Sequence, residues 1–220
     1  QGPLPVVVVA SIQGWTAKGP DHGLSPEALF MHSPGLKVVM PSTAYDTKGL
    51  LKSAIRDDHP VLFYTHQQLL IRDRELVPNE EYLIPLGKAD VKRKGKDVTI
   101  VSYSAMMLKV LAAAEELSKE GISAEVVDLR CLVPMDVETI VNSVKKTGCL
   151  LIVHEAMKRA GAAGEIAMRV TEAAPDVVKA MKTPIRRLAA QNIALPHSVA
   201  IEEKIIPQTD DIIKAARELV

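Results

Sequence analysis

The fold class is decided by the stretch Ser33-Pro-Gly-Leu-Lys-Val-Val-Met-Pro-Ser-Thr-Ala-Tyr-Asp-Thr-Lys-Gly-Leu-Leu51. Within it, the apolar run at residues 36–40 is too short for a helix and is closed by a proline, as is typical of a buried strand. Ser42 or Thr43 can then cap a helix that we predict over residues 45–56. A buried strand that runs directly into a helix is the repeating unit of an α/β sheet.

The same alternation of strand and helix continues on both sides of this stretch. Short apolar runs predict further strands at residues 6–10, 60–65, 98–102, 124–129, 149–153 and 185–188. Helical periodicity predicts further helices at residues 26–32, 106–121, 136–147, 164–174 and 210–219. Ser25 and Asp136 are predicted N-caps, and Gly121 is a predicted helix end. We therefore expect a parallel sheet that helices cover on both faces.

The chain is predicted to contain two domains. The periodicity fades between residues 66 and 86, where charged residues lie between prolines, as is typical of a connector. After a turn predicted at residues 92–97, the pattern of strand and helix restarts. We predict a boundary near residue 87 and two domains, residues 1–86 and 87–220, each long enough to bury a core.

The composition excludes several classes of partner. The 220 residues include 27 Lys and Arg and 27 Asp and Glu, so the formal net charge is zero. No broad attraction to nucleic acid or to anionic membranes is expected. No apolar run reaches the roughly 20 residues of a membrane span, so we expect a soluble chain with small-molecule or protein partners. The chain begins with Gln1 and no signal peptide, so we expect it to have been processed, trimmed or excised.

The two cysteines are predicted to be structural. Cys131 and Cys149 could pair, but their spacing suggests neither a zinc site nor a thioredoxin-type motif. Both lie beside strand-like runs, where a free cysteine behaves as a small apolar residue. We expect two reduced thiols in a reducing compartment.

His22 is the first candidate for chemistry. It lies in an irregular loop after the first predicted strand, and such loops are where open α/β sheets bind ligands. Its imidazole could move protons near neutral pH. A solvated loop histidine without a role fits the same pattern.

Two acidic residues follow the helix predicted at residues 45–56. Asp57 and Asp58 come where the last helical carbonyls are unpaired, so oxygen ligands for a hard cation could gather there. Carboxylates that are simply solvated are the alternative interpretation.

A second loop at a strand end follows His154 and Glu155 and contains Gly161 and Gly164. It could hold an anion at a helix start, or its glycines could allow close packing. No Gly-x-Gly-x-x-Gly or Walker sequence occurs, so neither nicotinamide nor P-loop nucleotide binding is predicted. The histidines without metal-ligand spacing, to which no role is assigned, are His32, His66 and His197.

Several blocks carry a family resemblance in their order along the chain. They are Pro34-Gly-Leu-Lys-Val-Val-Met-Pro-Ser-Thr43, Ala54-Ile-Arg-Asp57, Pro85-Leu-Gly-Lys-Ala89, Asp97-Val-Thr-Ile-Val101, Asp128-Leu-Arg130 and Val153-His-Glu-Ala156. With them the chain closely resembles the beta subunit of the thiamine-diphosphate-dependent 2-oxo acid dehydrogenases, the decarboxylating component of the pyruvate, branched-chain and acetoin complexes. The resemblance covers nearly the whole chain.

The resemblance implies a fold and a set of cofactors. Residues 1–86 would be the later half of a pyrimidine-binding module with a parallel sheet, and residues 87–220 a transketolase-type C-terminal α/β domain. The family's module has a further N-terminal half with a glutamate that activates the aminopyrimidine ring, and these 220 residues do not contain it. The implied cofactor is thiamine diphosphate with magnesium, whose diphosphate is held by a separate alpha subunit.

The resemblance also implies site residues. His22 matches a family histidine that assists substrate binding or acyl transfer, although the family's His-Ser-Gln reads His22-Gly23-Leu24 here. Some members hold a structural potassium ion with the loop that matches Ala54, Ile55 and Asp57.

The implied function is oxidative decarboxylation of a 2-oxo acid with acyl transfer to lipoamide, by a chain that is inactive without an alpha subunit. The implied partners are that alpha subunit, a second beta subunit and the lipoyl acyltransferase core, in a prokaryotic cytoplasm or the mitochondrial matrix. Two alternatives stay open: a truncated, non-catalytic association module, and a transketolase or deoxyxylulose-phosphate synthase relative.

Overall fold

The computed structural model describes residues 2–72 and 75–220. Its strands are β1 (Val7–Ile12), β2 (Lys37–Val39), β3 (Val61–His66), β4 (Asp90–Arg93), β5 (Val98–Ser102), β6 (Ala124–Asp128), β7 (Cys131–Val133), β8 (Leu150–Met157) and β9 (Arg186–Ala190). Its helices are α1 (Gly19–Gly23), α2 (Glu27–Met31), α3 (Ala44–Ile55), α4 (Gln67–Arg72), α5 (Met106–Lys119), α6 (Val137–Thr147), α7 (Ala162–Ala173), α8 (Pro175–Lys179), α9 (Val199–Ile205) and α10 (Thr209–Arg217).

The first sheet has the strand order β1-β3-β2-β7. β1 and β2 lie parallel to β3 on its two sides, with Val7 and Lys37 both opposite Val61. β7 belongs to the second half of the sequence and pairs antiparallel with β2. Within the described residues, β1 is an edge strand whose only neighbour in the sheet is β3.

The second sheet has the order β4-β6-β5-β8-β9. β5 pairs in parallel with β6 and β8, and β9 extends the parallel set, whereas β4 is antiparallel to β6. Every residue of β5 and β6 is buried, because helices cover both faces of these strands. The predicted α/β class is confirmed.

The core lies on both faces of the second sheet. Val110 of α5 and Ile212 of α10 belong to one apolar cluster. Ile140 of α6 and Ile166 of α7 belong to a second cluster on the other face, together with Tyr64 of the first sheet. The two halves of the chain therefore share a core.

A buried cluster of ion pairs links the same two halves. Lys92 Nζ of β4 donates to Asp46 Oδ2 of α3 at 2.6 Å, and the guanidinium of Arg130 also donates to Asp46. Burial raises the pKa of Asp46, but the hydrogen bonds and charges of these two cations outweigh burial and hold it below its ordinary value. The predicted boundary near residue 87 lies in a stretch without helix or strand, residues 75–89, yet contacts across it are extensive.

The predicted strands and longer helices are present, with ends that shift by a few residues. Thr43 rather than Ser42 caps α3, since its Oγ1 accepts from the Asp46 amide at 3.0 Å. Asp136 caps α6 as predicted and accepts from the Thr139 amide at 3.2 Å.

Six elements were not predicted: α1, α4, α8, α9, β4 and β7. None is longer than seven residues, so each is too short for its hydrophobic pattern to repeat often enough to be recognised. α4 lies in the predicted connector, and β4 includes part of the turn predicted at residues 92–97. The N-cap predicted at Ser25 is wrong, because Pro26 takes that position and Ser25 Oγ donates to Glu155 instead.

Two expectations from composition can be compared with the structure. Cys131 and Cys149 are both buried and free, which confirms the predicted structural thiols. Burial raises the pKa of Cys131 to about 11. No helix among the described residues is long and apolar enough to cross a membrane.

Candidate active site

His22 lies on the single helical turn α1, shortly after the end of β1. Gly19 begins this turn with a φ of 73°, in the left-handed region that favours glycine. Gly19 and Gly23 are buried, whereas His22 is exposed. The imidazole is thus presented outward from a turn whose backbone is packed.

The second half of the chain provides that packing. A Cβ on Gly19 would lie 2.3 Å from His197 Nε2, and one on Gly23 would lie 2.9 Å from Leu195 Cδ1. Only glycine fits such approaches without a shift of the neighbouring side chain. His197, to which the sequence analysis assigned no role, therefore packs against the turn that carries His22.

Glu202 of α9 anchors the loop before α1. Its carboxylate accepts from the Trp15 amide at 3.0 Å and from the Ala17 amide at 2.8 Å. Both residues have positive φ, 63° and 52°, which costs free energy in residues that carry a side chain. The buried carboxylate offsets this cost with two charge-assisted hydrogen bonds.

A cavity of about 500 Å³ lies beside His22. Its floor is largely apolar and belongs to β1, β3 and α2, while Asp21 and His22 are the acidic and imidazole side chains that line it. The lining residues are Val8, Ala10, Ser11, Gln13, Asp21, His22, Leu24, Pro26, Phe30, Leu36, Leu62 and Tyr64. A volume of this size is within the range of small-molecule sites.

A buried polar cluster lies behind α1, where strand ends of the two sheets meet. Glu155 at the end of β8 accepts from Ser25 Oγ at 2.6 Å and from His66 Nε2 at 3.0 and 3.1 Å. Burial raises the pKa of Glu155, but its interactions with His66 and the hydrogen bond from Ser25 outweigh this and lower it. The sequence had assigned no role to His66.

Glu27 of α2 is the second carboxyl group of this cluster and is completely buried. Tyr103 Oη donates to Glu27 Oε1 at 2.7 Å, whereas Glu27 Oε2 has no hydrogen-bond partner. Burial therefore raises the pKa of Glu27 to about 7. Burial also raises the pKa of Tyr103, whose hydroxyl stays protonated.

His154 completes the cluster on the other side of Tyr103. The two rings are stacked, with centroids 6.1 Å apart, and neither ring nitrogen of His154 has a hydrogen-bond partner. Burial lowers the pKa of His154 to about 4, so the ring is neutral. Gly161 packs against the His154 ring. A Cβ on Gly161 would lie 2.7 Å from His154 Cε1 and 2.4 Å from the Met157 carbonyl oxygen. Close packing thus explains Gly161, while a Cβ on Gly164 would meet only Arg187, at 3.5 Å.

Ala54, Ile55 and Asp57 lie at the end of α3, beside the start of β2 and far along the first sheet from His22. The carboxylate of Asp57 pairs with Lys37 and accepts from the His59 amide at 2.9 Å. Burial raises the pKa of Asp57, but these hydrogen bonds outweigh it and lower the pKa. The Ala54 carbonyl accepts from the Asp57 amide at 3.2 Å.

The structure therefore separates the two predicted sites and adds a cluster that the sequence did not predict. His66, Tyr103 and Glu155 each stand at or just after the end of a strand, and that position was the available signal. Glu27 had no comparable signal, because its burial depends on Tyr103, which is distant in the sequence.

Comparison with known proteins places this geometry in a family. The family model of the transketolase C-terminal domain matches residues 87–212, and that of the transketolase pyrimidine-binding domain matches residues 1–72. The chain belongs to the transketolase family. This family is thiamine-diphosphate-dependent.

Relatives of this transketolase-family chain include beta subunits of dehydrogenases. It is 45% identical over 216 residues to the pyruvate dehydrogenase E1 component subunit beta of Bacillus subtilis and 43% identical to the 2-oxoisovalerate dehydrogenase subunit beta of the same organism. Each match covers 98% of this chain and 65% of the relative, so the chain spans about two thirds of the relatives' length. The predicted resemblance to these beta subunits is confirmed.

A solved structure shows the same fold. The split-gene transketolase described as an inactive beta4 tetramer superposes with a TM-score of 0.80 at 27% identity, covering 99% of this chain and 67% of the other. The predicted pyrimidine-binding and C-terminal folds agree with this similarity.

Proposed function

We propose that the chain is the beta-subunit part of a 2-oxo acid dehydrogenase, in which it joins an alpha subunit to decarboxylate a 2-oxo acid and transfer the acyl group to lipoamide. Similarity to two dehydrogenase beta subunits over 98% of the chain carries this proposal. The lower identity to a split-gene transketolase, 27%, makes transketolase chemistry the weaker alternative.

The described residues could bind only one part of a thiamine diphosphate molecule. No group of three or more His, Cys, Asp and Glu side chains among them could hold a metal ion, so they offer no ligand set for a diphosphate with magnesium. The largely apolar cavity with His22 at its edge suits the reacting end of the cofactor and the substrate. The diphosphate and its metal would therefore be held by the alpha subunit, and the isolated chain would be inactive.

His22 is the residue of this chain that we assign to catalysis. When bound, thiamine diphosphate supplies the carbon nucleophile and the electron sink for decarboxylation. The exposed imidazole of His22 would donate a hydrogen bond or a proton to a substrate oxygen in the adjoining cavity. Glu202 and His197 would act as positioning residues, because they fix the loop and the turn that carry His22.

Substitution in the reconstituted complex tests this assignment. His22→Ala should lower kcat by about a hundredfold or more, the usual effect of losing a positioned acid or base. His32→Ala, at an exposed histidine after α2, is the matched control and should leave kcat unchanged. Activity of the His22→Ala complex within about twofold of the parent would remove His22 from the mechanism.

A potassium site at Ala54, Ile55 and Asp57 is a further part of the proposal. The helix end supplies carbonyl oxygens, and the Asp57 carboxylate is already fixed by Lys37. Thermal unfolding in potassium chloride should then occur at a higher temperature than in choline chloride, with the difference lost in Asp57→Ala. Equal melting temperatures of the parent chain in the two salts would exclude the site.

One observation favours a non-catalytic association module as the second candidate. β1 is an edge strand, and its Val8 and Val9 are 53% and 58% exposed. An exposed apolar edge strand pairs readily with another chain. This candidate requires an oligomer, and a stable monomer in sedimentation at micromolar concentration would contradict it.

A further inference from the structure

A second cavity, of about 280 Å³, lies on the other side of α1 from the cavity beside His22. It opens between the α1 turn, the last residues of β8 and β9, and the segment that follows β9. This is the carboxyl end of parallel strands, where α/β sheets bind ligands. Its lining residues are Pro20, Gly23, Leu24, Ser25, Glu155, Ala156, Met157, Ala190, Ile193, Ala194 and Leu195. We call it the Glu155 pocket.

The walls of this pocket are almost entirely aliphatic. Leu24, Ile193 and Leu195 are the largest side chains of its walls, and Glu155 is the only ionisable residue in its lining. Apolar walls with one or two convergent polar groups are typical of sites for small ligands. The volume of about 280 Å³ is just below the usual range for such sites and restricts the ligand to a small group.

Among the described residues, Glu155 has no lysine or arginine as a partner. Its hydrogen-bond donors are the Ser25 hydroxyl, at 2.6 Å, and His66 Nε2, at 3.0 and 3.1 Å. No described lysine or arginine forms an ion pair with its carboxylate, although Glu155 is only 7% exposed.

A buried carboxylate is costly unless a positive charge is paired with it. Hydrogen bonds from Ser25 and His66 offset part of that cost, and an ammonium group inside the pocket would offset the rest. The aliphatic walls would cover the carbon atoms attached to that group. A 2-oxo acid, which is an anion, would be repelled by the same carboxylate.

We infer that the Glu155 pocket binds a primary ammonium group on a short unbranched aliphatic stem. This ligand class differs from the substrate of the proposed function, and the inference does not depend on that function. The ammonium could belong to a free alkylamine or to the lysine side chain of a protein, since the two share the same terminal chemistry.

Titration calorimetry of the full chain at pH 7 with n-pentylamine tests the inference, with n-pentanol and pentanoate as uncharged and anionic analogues. Pentylamine should bind at one site, and the two analogues should bind at least about tenfold more weakly. Glu155→Gln should weaken pentylamine binding by a similar factor. Glu172→Gln, which removes the same charge at an exposed position, is the matched control and should bind like the parent.

A second variant keeps the test valid if Glu155→Gln fails to fold. Ala194→Trp, at an exposed position of the pocket lining, should fill the pocket and abolish binding while Glu155 keeps its charge. Nα-acetyl-lysine-N-methylamide distinguishes the two sources of the ammonium: binding supports a protein lysine, and rejection with retained pentylamine binding supports a free amine. The inference is wrong if pentylamine does not bind, or binds equally well to Ala194→Trp.

Discussion

At the scale of single residues, two buried carboxyl groups in one cluster have pKa values on opposite sides of the ordinary value. Burial raises both, but Glu155 accepts hydrogen bonds from Ser25 and His66, whereas Glu27 accepts one from Tyr103 and has an unpartnered oxygen. The electrostatic interaction and hydrogen bonds with His66, together with the hydrogen bond from Ser25, outweigh burial at Glu155, whereas the hydrogen bond from Tyr103 does not outweigh burial at Glu27. Glu27 is therefore a protonated acid at mildly acidic pH.

This shift predicts a pH-dependent stability. The pKa of Glu27 is about 7 in the folded chain and 4.5 as its ordinary value, so folding takes up a proton between these values and stability falls as pH rises from 4.5 to 7. When Glu27 is fully ionised in the folded chain, the loss in the free energy of unfolding is about 3 kcal/mol. Urea unfolding should show a smaller loss between pH 5 and pH 8 in Glu27→Gln, which mimics the protonated acid, than in the parent chain.

The control for this prediction is Glu172→Gln, at an exposed position. Its free energy of unfolding should follow the pH profile of the parent chain. Parallel profiles of Glu27→Gln and the parent would show that Glu27 does not titrate with a raised pKa.

At the scale of elements, short segments from the second half of the chain shape the candidate active site. α9 reaches the loop after β1 through Glu202, and the segment after β9 reaches α1 through Leu195 and His197. Sequence patterns predicted the strand before His22 from a run of valines, and the longer helices because their hydrophobic pattern repeats over several turns. They could not predict α1, α9 or β7, whose position is set by contacts distant in sequence.

Loss of the Glu202 anchor should loosen the loop before α1. Glu202→Gln keeps the size of the side chain but replaces a charged acceptor of two amides with a neutral one. Hydrogen exchange at the Trp15 and Ala17 amides should become at least about tenfold faster. Glu203→Gln, at the exposed neighbouring position, should leave both rates unchanged, and equal rates in the two variants would contradict the anchoring role.

The two glycines at the start of α7 should respond in opposite directions to alanine. Gly161→Ala should lower stability, because its Cβ would lie 2.4 Å from the Met157 carbonyl oxygen. Gly164→Ala should raise stability by about 0.5 to 1 kcal/mol, because alanine is the better helix former and its Cβ meets only ordinary contacts. Urea unfolding of the two variants measures both effects, and a stable Gly161→Ala would show that packing does not require that glycine.

At the scale of the whole molecule, the α/β class and the order of the main elements could be predicted from the sequence. The contacts between the two halves of the chain could not. Asp46, Lys92 and Arg130 lie on three separate elements, and only the folded chain brings their charges together. The pairing of β7 with β2 likewise joins residues that are distant in the sequence. The polar cluster behind His22 is hidden from sequence for the same reason, since it forms where the two sheets meet.

The exposed edge of β1 predicts association of the molecule. Val8→Lys should reduce any oligomer seen in sedimentation, because a charge on an edge strand opposes pairing with another chain. Val199→Lys, at another valine that is 56% exposed, should not change the oligomeric state. Unchanged association in Val8→Lys would show that β1 is not the contact surface.

We propose that this chain provides one side of a thiamine-diphosphate site whose other side belongs to an alpha subunit. Isothermal titration of thiamine diphosphate with magnesium into the chain alone, and into its mixture with a candidate alpha subunit, tests that claim most directly. We expect saturable binding in the mixture and none by the chain alone. Absence of binding in the mixture, or equal binding by the chain alone, would contradict it.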